Sequence, residues 1–311
     1  MSTYLVTGAM GCIGAWTLHH LVKQGKSAIS FDLSENRYRL DLLLTPEEQQ
    51  NITFVQGDLT DTDSVRAVFA DHGITHVVHL AALQVPFCRA NPPLGAQVNV
   101  TGTVNVFEAA KATGVSHITQ ASSIAVYGPP ELYDTELLPH NAPMLPRTLY
   151  GVYKVADEGL ANVYWHDHGI TSTTLRPYTV YGPARDQGMT SEPTKAMQAA
   201  ANGEDYHISF GGKMQFHYAS DVAQQFIEAA ENPHEGAVGY NLGTDPVAVQ
   251  TVADLIMENA PGTTVTVGET ILPFPIGFES NVLPDVFDNV YETPLADAVK
   301  ATMDHFRAQN G

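Results

Sequence analysis

The stretch that decides the fold is "TYLVTGAMGCIGAWTLHHLVKQG", residues 3–25. It runs from a short apolar segment through Gly8, Gly11 and Gly14 into a helix-like pattern. Glycine lets the backbone turn sharply and come close to a pyrophosphate, and the N-terminus of the following helix offers free N–H groups with a partial positive charge. The order strand, glycine loop, helix therefore predicts a dinucleotide-binding unit at the start of the chain.

The choice of dinucleotide is indicated by the next apolar segment, "SAISFDLS", residues 27–34, which carries Asp32 at its end. A carboxylate at this place accepts hydrogen bonds from the adenosine ribose hydroxyls and repels a 2′-phosphate. The sequence therefore favours NAD over NADP. Arg37 and Arg39 follow closely and could soften this preference.

Short apolar segments alternate with helical patterns through the first half of the chain. The helical patterns begin near Cys12, Thr62, Pro93 and Thr148. The predicted strands are "YLVTG", "SAISFD", "ITFVQGD", "THVVHLAA", "SHITQASS" and "TSTTLRP". Such alternation is typical of a parallel sheet with helices on both faces, so the predicted class is an α/β, Rossmann-type doubly wound sheet.

The second half of the chain has a different pattern and predicts a smaller, mixed C-terminal lobe. We predict an NAD-binding domain over residues 1–176, to which a strand and helix from about 214–231 return, and a mainly substrate-binding lobe over 177–311. Residues 178–212 are predicted to be rich in loops, and a last helix is predicted from about Pro294 to Gln309. The substrate cleft is expected between the lobes.

Charge and cysteine content limit the partners and the compartment. The 311 residues include 15 Lys plus Arg and 34 Asp plus Glu, for a net charge of -19, which disfavours nucleic acid and anionic membranes as partners. Only Cys12 and Cys88 are present, and no secretory leader pattern opens the sequence, so a cytoplasmic protein is expected. A short histidine cluster, "WHDHG" at 165–169, lacks companion ligands, and no metal site is predicted.

The segment "LYGVYKVADE", residues 149–158, holds a candidate pair for acid–base chemistry. Tyr150 and Lys154 are four positions apart, which places both side chains on one face of a helix. A nearby ammonium group stabilises a phenolate, so Tyr150 is a candidate general base.

The motifs together resemble the extended short-chain dehydrogenase/reductases, also called the NAD-dependent epimerase/dehydratase family. The resemblance covers most of the first 185 residues, in the order expected for that family. Its segments are "TGAMGCIG", Asp32, "GDL" at 57–59, "HLAA" at 79–82, "VNVTGT" at 98–103, "ASSIAVYG" at 121–128, "YGVYK" at 150–154 and "LRPYTVYGP" at 175–183.

The resemblance implies a role for each matching residue. Tyr150 would be the acid/base, and Lys154 would bind the nicotinamide ribose and assist the tyrosine. Ser123 would hydrogen-bond the reacting oxygen and is preferred to Ser122 for this role. The cofactor would be NAD. Its predicted contacts are Gly8, Gly11, Cys12, Ile13, Gly14, Asp32, Asp58, Leu59, Ala81, Ala82, Asn99, Tyr150, Lys154, Tyr178 and Val180.

The substrate is less well determined. Relatives that use nucleotide sugars usually carry a pattern like "RDFVYVDDV", whose arginine grips the diphosphate, but "MQFHYASDV" places Met214 at that arginine. Lys213 could substitute as a point charge, and Arg185 could bind an anion. The predicted substrate contacts are Ser122, Ser123, Tyr178, Thr179, Arg185, Thr190, Ser191, Lys213 and His217.

These observations favour an NAD-dependent oxidoreductase that oxidises a secondary alcohol of a small sugar, sugar acid or similar hydroxy compound. The alternative is a sugar or nucleotide-sugar epimerase that retains its cofactor, because both reactions need the same serine, tyrosine and lysine. A more remote alternative is a non-catalytic NAD-sensing regulator. By family resemblance, the chain is expected to form a homodimer through helices near 93–112 and 148–167.

Overall fold

The fold is described by a computed structural model that covers residues 2–279 and 281–309. Its strands are β1 (Thr3–Thr7), β2 (Ser27–Asp32), β3 (Ile52–Gln56), β4 (His76–His79), β5 (His117–Ala121), β6 (Thr171–Arg176), β7 (Thr179–Tyr181), β8 (Tyr206–Phe210), β9 (Lys213–Met214), β10 (Phe216–Tyr218), β11 (Ala237–Asn241), β12 (Val247–Ala248) and β13 (Val265–Thr270). Its helices are α1 (Cys12–Lys23), α2 (Tyr38–Asp41), α3 (Pro46–Gln49), α4 (Thr62–His72), α5 (Val85–Ala90), α6 (Pro92–Ala96), α7 (Gly102–Thr113), α8 (Leu149–His168), α9 (Glu192–Ala201), α10 (Ala219–Glu231), α11 (Val249–Asn259) and α12 (Leu295–Gln309).

The central element is a sheet of seven strands in the order β11-β6-β5-β4-β1-β2-β3, and every pairing in it is parallel. The chain moves outward from β1 in one direction and then in the other, so the carboxyl ends of β1 and β4 lie side by side where the strand order reverses. Ligands of doubly wound sheets bind at such a point. The predicted Rossmann class is confirmed.

Two apolar cores cover the two faces of this sheet. One core joins α1 and α10 to β1, β4 and β6, with Leu18 and Phe226 fully buried. The other joins α4, α7 and α8 to the opposite side, with Phe69 and Phe107 among its buried members. Because helices cover both faces, strands β1, β2 and β5 are buried along nearly their whole length, which explains their largely apolar character.

The second lobe has its own apolar core, built from the pair β8 and β13 together with α9, α11 and α12. Two differences from the sequence-based prediction arise here. The region 178–212, predicted as loops, contains β7, α9 and β8. The strand that returns to the central sheet is β11, because β10 pairs with β7 outside that sheet. Only the helix α10 of the segment 214–231 packs on the sheet.

Candidate active site

A cleft of about 750 Å³ lies between the carboxyl ends of the central strands and the second lobe. Most residues predicted from the motifs line it. They are Gly8, Gly11, Cys12, Ile13, Gly14, Asp32, Asp58, Leu59, Ala81, Ala82, Ser122, Ser123, Tyr150, Tyr178, Val180, Arg185 and Thr190. The fold thus brings segments from distant parts of the chain to one site.

The glycine loop forms one end of the cleft, and its geometry fits a pyrophosphate. Gly8 has φ +66°, and a Cβ atom there would lie 2.6 Å from the Cα atom of Ala81. Helix α1 begins at Cys12 with no acidic residue in its first turn and no side-chain cap. Its first N–H groups are therefore free to bind an anion. Burial raises the pKa of the Cys12 thiol to about 11, so this thiol stays neutral.

Asp32 closes β2 and faces the same end of the cleft. Its Oδ2 atom accepts a hydrogen bond from the Met10 N–H at 2.9 Å, and its Oδ1 atom accepts one from the Ser34 N–H at 2.9 Å. A carboxylate oxygen can accept more than one bond, so both oxygens retain capacity for ribose hydroxyls. The backbone bonds hold the carboxylate in place before any ligand binds.

Tyr150 reaches the cleft because of how α8 begins. The Thr148 side chain caps the helix by accepting a hydrogen bond from the Gly151 N–H at 3.0 Å. A Cβ atom at Gly151 would collide with the Ala125 carbonyl oxygen. The absence of a side chain at Gly151 therefore lets the start of α8 pack against the 3₁₀ turn Ile124–Val126, which directly follows Ser123.

The two neighbouring serines differ in their hydrogen bonds. The Ser122 hydroxyl donates to the Glu158 carboxylate at 2.6 Å, so its proton is already used. The Ser123 oxygen accepts a bond from the Ala125 N–H at 3.2 Å, which leaves its proton available to a ligand oxygen. This difference supports the prediction of Ser123 rather than Ser122 as the residue that binds the reacting oxygen.

Lys154 lies behind Tyr150, with its Nζ atom 6.0 Å from the centre of the tyrosine ring. It is buried and forms an ion pair with the equally buried Asp157 at 3.1 Å. Burial alone would lower the pKa of Lys154, but Asp157 and Tyr150 outweigh it, so the net pKa is raised. Burial raises the pKa of Asp157 to about 6 despite the lysine. The ammonium group is thus kept charged beside the phenol.

A buried network of hydrogen bonds continues from Ser122 through Glu158 to Arg176 and Tyr127. The Arg176 Nη2 atom lies 2.5 Å from Glu158 Oε2, and the Arg176 Nε atom donates to Glu158 Oε1 at 2.8 Å. Arg176 also donates to the Tyr127 hydroxyl at 3.0 Å, and Tyr127 donates to Asn241 at 3.1 Å. This network joins α8 to β6 and β11, so it braces the helix that carries Tyr150.

Some predicted contacts do not line the cleft. Asn99 is buried and bonds the backbone N–H and C=O groups of Leu83, so it braces the segment that lines the cleft. Lys154 lies behind Tyr150 and does not line the cleft itself. The others point elsewhere: Thr179 bonds the Met214 sulfur, Ser191 donates to the Gly188 carbonyl, Lys213 is exposed on β9, and His217 borders a separate cavity of about 30 Å³.

Arg185 and Thr190 line the cleft from the loop between β7 and α9, at the end predicted to bind the substrate. The Arg185 Nη2 atom donates to the Thr190 hydroxyl at 3.3 Å, whereas its Nε atom is buried without a hydrogen-bond partner. Burial lowers the pKa of Arg185 from its ordinary value. Arg185 forms no ion pair among the described residues, so its positive charge makes this part of the cleft favourable for an anionic group.

Sequence motifs did not point to several residues that line the cleft. They are Phe31, Leu33, Ser34, Arg39, Gln84, Val85, Phe87, Asp186, Gln187, Met189 and Phe274. Most lie in loops between motifs. Phe274 follows β13, beyond all the sequence patterns that indicated the site, and no local pattern marked it. Only the proximity of Arg39 to Asp32 in the sequence gave a usable signal.

Comparison with known proteins places this site in a family. Residues 4–243 match the model of the NAD dependent epimerase/dehydratase family. The chain is 32% identical over 247 residues to the UDP-glucose 4-epimerase of Mycolicibacterium smegmatis, covering 77% of this chain and 76% of that one. It is 27% identical over 271 residues to the UDP-glucuronate 4-epimerase of Thermodesulfobacterium geofontis, covering 82% and 80%.

Solved structures give the same result for the fold. The UDP-glucose 4-epimerase of Thermus thermophilus, solved with NAD, superposes with a TM-score of 0.81 at 26% identity and covers 98% of this chain and 99% of its own. The L-threonine dehydrogenase of Clostridium difficile superposes with a TM-score of 0.87 at 20% identity, over 99% and 98%. At that identity, the second likeness concerns the fold alone.

The protein therefore belongs to the NAD-dependent epimerase/dehydratase family of extended short-chain dehydrogenase/reductases. It is an NAD-dependent enzyme, and the hypothesis of a non-catalytic regulator is set aside. Within the residues that the structure describes, no helix is long and apolar enough to cross a membrane, and no group of three or more metal-ligating side chains occurs.

Proposed function

We propose that the enzyme oxidises a secondary alcohol of a small hydroxy compound that carries a carboxylate, with NAD as hydride acceptor. Among the described residues that line the cleft, Arg39 and Arg185 are the only cations. Arg39 is paired with Asp186 in a two-point contact, whereas Arg185 lines the cleft and forms no ion pair among the described residues. One available guanidinium suits one carboxylate.

The main support for this proposal is that, among the described residues of the cleft, none replaces the family arginine that binds the diphosphate of a nucleotide sugar. Met214, at the position of the family arginine, is buried and accepts a hydrogen bond from Thr179. Gln215 is buried as well and donates to the Thr244 carbonyl at 2.5 Å. Neither side chain offers a positive charge, and Lys213 is exposed outside the cleft. A nucleotide sugar would place two phosphate charges here with little to balance them.

The residues supply the acid–base part of the reaction. When bound, NAD accepts the hydride that leaves the carbinol carbon. Ser123 donates its free proton to the substrate oxygen and orients it, and Tyr150 takes the hydroxyl proton as the C=O bond forms. Lys154 stabilises the phenolate form of Tyr150 through its charge, while Asp157 holds the ammonium group in place. The products are a ketone, a protonated Tyr150 and the reduced cofactor.

A second candidate is an epimerase, and the named relatives favour it. Both the UDP-glucose and the UDP-glucuronate 4-epimerases align over more than three quarters of this chain. In that reaction the proton on Tyr150 returns to the substrate oxygen while hydride returns to the opposite face of the ketone. The same three side chains serve both outcomes, so the difference lies in whether the ketone and the cofactor leave.

The test is to incubate purified protein with NAD and follow absorbance near 340 nm. The panel contains uronic and aldonic acids, their neutral sugars, threonine, and the UDP sugars of glucose and glucuronic acid. The proposal expects NADH to accumulate with an acid and not with the matching neutral sugar. A UDP sugar that changes stereochemistry in proton NMR spectra, without NADH accumulating, would replace the proposal by the epimerase.

A further inference from the structure

Arg39 and Asp186 both line the cleft and form an ion pair, and this pair has no part in the chemistry proposed above. Arg39 belongs to α2, next to the adenosine end, and Asp186 belongs to the loop between β7 and α9 in the second lobe. The Arg39 Nε atom lies 2.7 Å from Asp186 Oδ1, and its Nη2 atom lies 3.1 Å from Oδ2. The two groups make a bidentate contact between residues 147 positions apart.

The same guanidinium is close to the group that reads the adenosine ribose. The Arg39 Nη1 atom donates to the Met10 carbonyl at 2.8 Å, while the N–H of Met10 donates to Asp32. Arg39, Asp32, Leu33 and Ser34 all line the cleft. The backbone of Met10 therefore links Arg39 to the Asp32 carboxylate, which faces the predicted site of the ribose hydroxyls.

A guanidinium at this place would ordinarily attract a 2′-phosphate. Arginine binds phosphate oxygens through paired N–H groups, and charge-assisted bonds of this kind are strong. In this protein Asp186 already occupies the face of the fork that holds Nε and Nη2. Because both partners are partly exposed, at 20% and 37% of their side-chain surface, the pair adds little to stability.

We propose that Asp186 is a cofactor-specificity residue, which engages Arg39 across the cleft and so keeps it from binding the 2′-phosphate of NADP. Asp32 repels that phosphate directly, and Asp186 removes the cation that would offset the repulsion. The substrate lobe thereby takes part in the choice of cofactor. The inference concerns cofactor binding only and holds for a dehydrogenase and an epimerase alike.

The neighbouring arginine provides a matched control. Arg37 precedes Arg39 by two positions, but its guanidinium stacks 3.5 Å from the centre of the Phe54 ring and does not line the cleft. If free positive charge near Asp32 were enough, Arg37 and Arg39 would act alike. If the place of the cation decides, only Arg39 responds to the loss of Asp186.

The experiment is isothermal titration calorimetry of the full chain with NADH and with NADPH. Asp186→Asn is expected to tighten NADPH binding relative to NADH by about tenfold, the size of one charge-assisted contact. The gain should vanish in Asp186→Asn combined with Arg39→Gln, and persist in Asp186→Asn combined with Arg37→Gln. Glu35→Gln, which removes one acidic charge from an exposed site near Ser34, should leave the ratio unchanged.

Two results would overturn the inference. In the first, Asp186→Asn leaves the NADPH-to-NADH affinity ratio of the wild type. In the second, the gain survives without Arg39, which would mean that Asp186 acts by simple repulsion of the phosphate. Asp186→Ser serves as a second variant, because serine cannot span both guanidinium nitrogens. No substrate enters these titrations, so a failure of the proposed reaction leaves their outcome unaffected.

Discussion

At the catalytic end of the cleft the buried charges are paired within the protein, whereas at the substrate end one is not. Lys154 contacts Asp157 at 3.1 Å, and Arg176 contacts Glu158 at 2.5 Å. Arg185, by contrast, lines the cleft and forms no ion pair among the described residues. A paired charge is held in place before the substrate arrives, while an unpaired one gains its partner from the ligand. Under the proposed function, this difference distinguishes the catalytic lysine, which Asp157 holds in place, from a cation that selects the substrate.

The sharpest way to break this comparison is to remove the phenol at the catalytic end. Tyr150→Phe is expected to lower the rate of hydride transfer by roughly 10²–10⁴-fold, because the substrate proton loses its acceptor. NADH affinity should be unchanged. Tyr153→Phe, on the same helix with its hydroxyl bonded to the Pro92 carbonyl, is the control and should keep its rate. Stopped-flow absorbance at 340 nm measures both variants, and equal rates would remove Tyr150 from the mechanism.

Removing the cation at the substrate end should act on binding instead. Arg185→Gln is expected to raise KM for acidic substrates by about a hundredfold, the size of a buried charge-assisted contact, with a smaller change in kcat. Neutral sugars should be affected little. Lys213→Gln, exposed and outside the cleft, is the matched control. An equal rise in KM for neutral and acidic compounds would mean that Arg185 shapes the cleft without recognising a carboxylate.

Two histidines outside the cleft, His79 on β4 and His217 on β10, are buried and neutral, which predicts instability in acid. Burial lowers the pKa of His79 and of His217 from 6.5 to about 3. Below pH 6.5 these two histidines become protonated in the unfolded chain but stay neutral in the folded one. The free energy of unfolding therefore falls as the pH drops from 6.5 towards 3. Each histidine should cost about 2 kcal/mol at pH 5, relative to neutral pH.

The two histidines test whether the two lobes unfold together. Urea titrations between pH 4 and 7 should show, for His217→Gln, a slope of stability against pH that is smaller by about 1.4 kcal/mol per pH unit. His79→Gln should give a similar decrease if the lobes form one cooperative unit. The exposed His166→Gln is the control. A slope that changes for one buried histidine only would indicate separate unfolding of the two lobes.

The smallest expected effect concerns the outer face of α8, whose inner face carries Tyr150. Leu149, Val152 and Val163 are 44%, 47% and 53% exposed on that helix. The predicted homodimer through helices near 93–112 and 148–167 would cover such a face. Light scattering is expected to give the mass of two chains, and Val152→Glu with Val163→Glu to reduce it to one. A wild-type monomer would contradict the prediction.

The sequence by itself determined the regular half of the molecule. The glycine loop, Asp32 and the Tyr150–Lys154 pair were found because each is a short pattern on a regular element, and parallel strands bring their carboxyl ends to one edge. A spacing of four on a helix already places two side chains on one face. For these residues local geometry and site geometry are nearly the same.

Tertiary structure decided the rest, because those contacts join segments that no local pattern connects. The pairing of Arg39 with Asp186, the burial of the Arg185 Nε atom and the position of Phe274 in the cleft all depend on how the second lobe packs on the first. The same packing turned Thr179, Ser191 and His217 away from the cleft, although the sequence had made them candidates. A loop side chain acquires its partners only when the lobes meet, so its role follows from the folded whole.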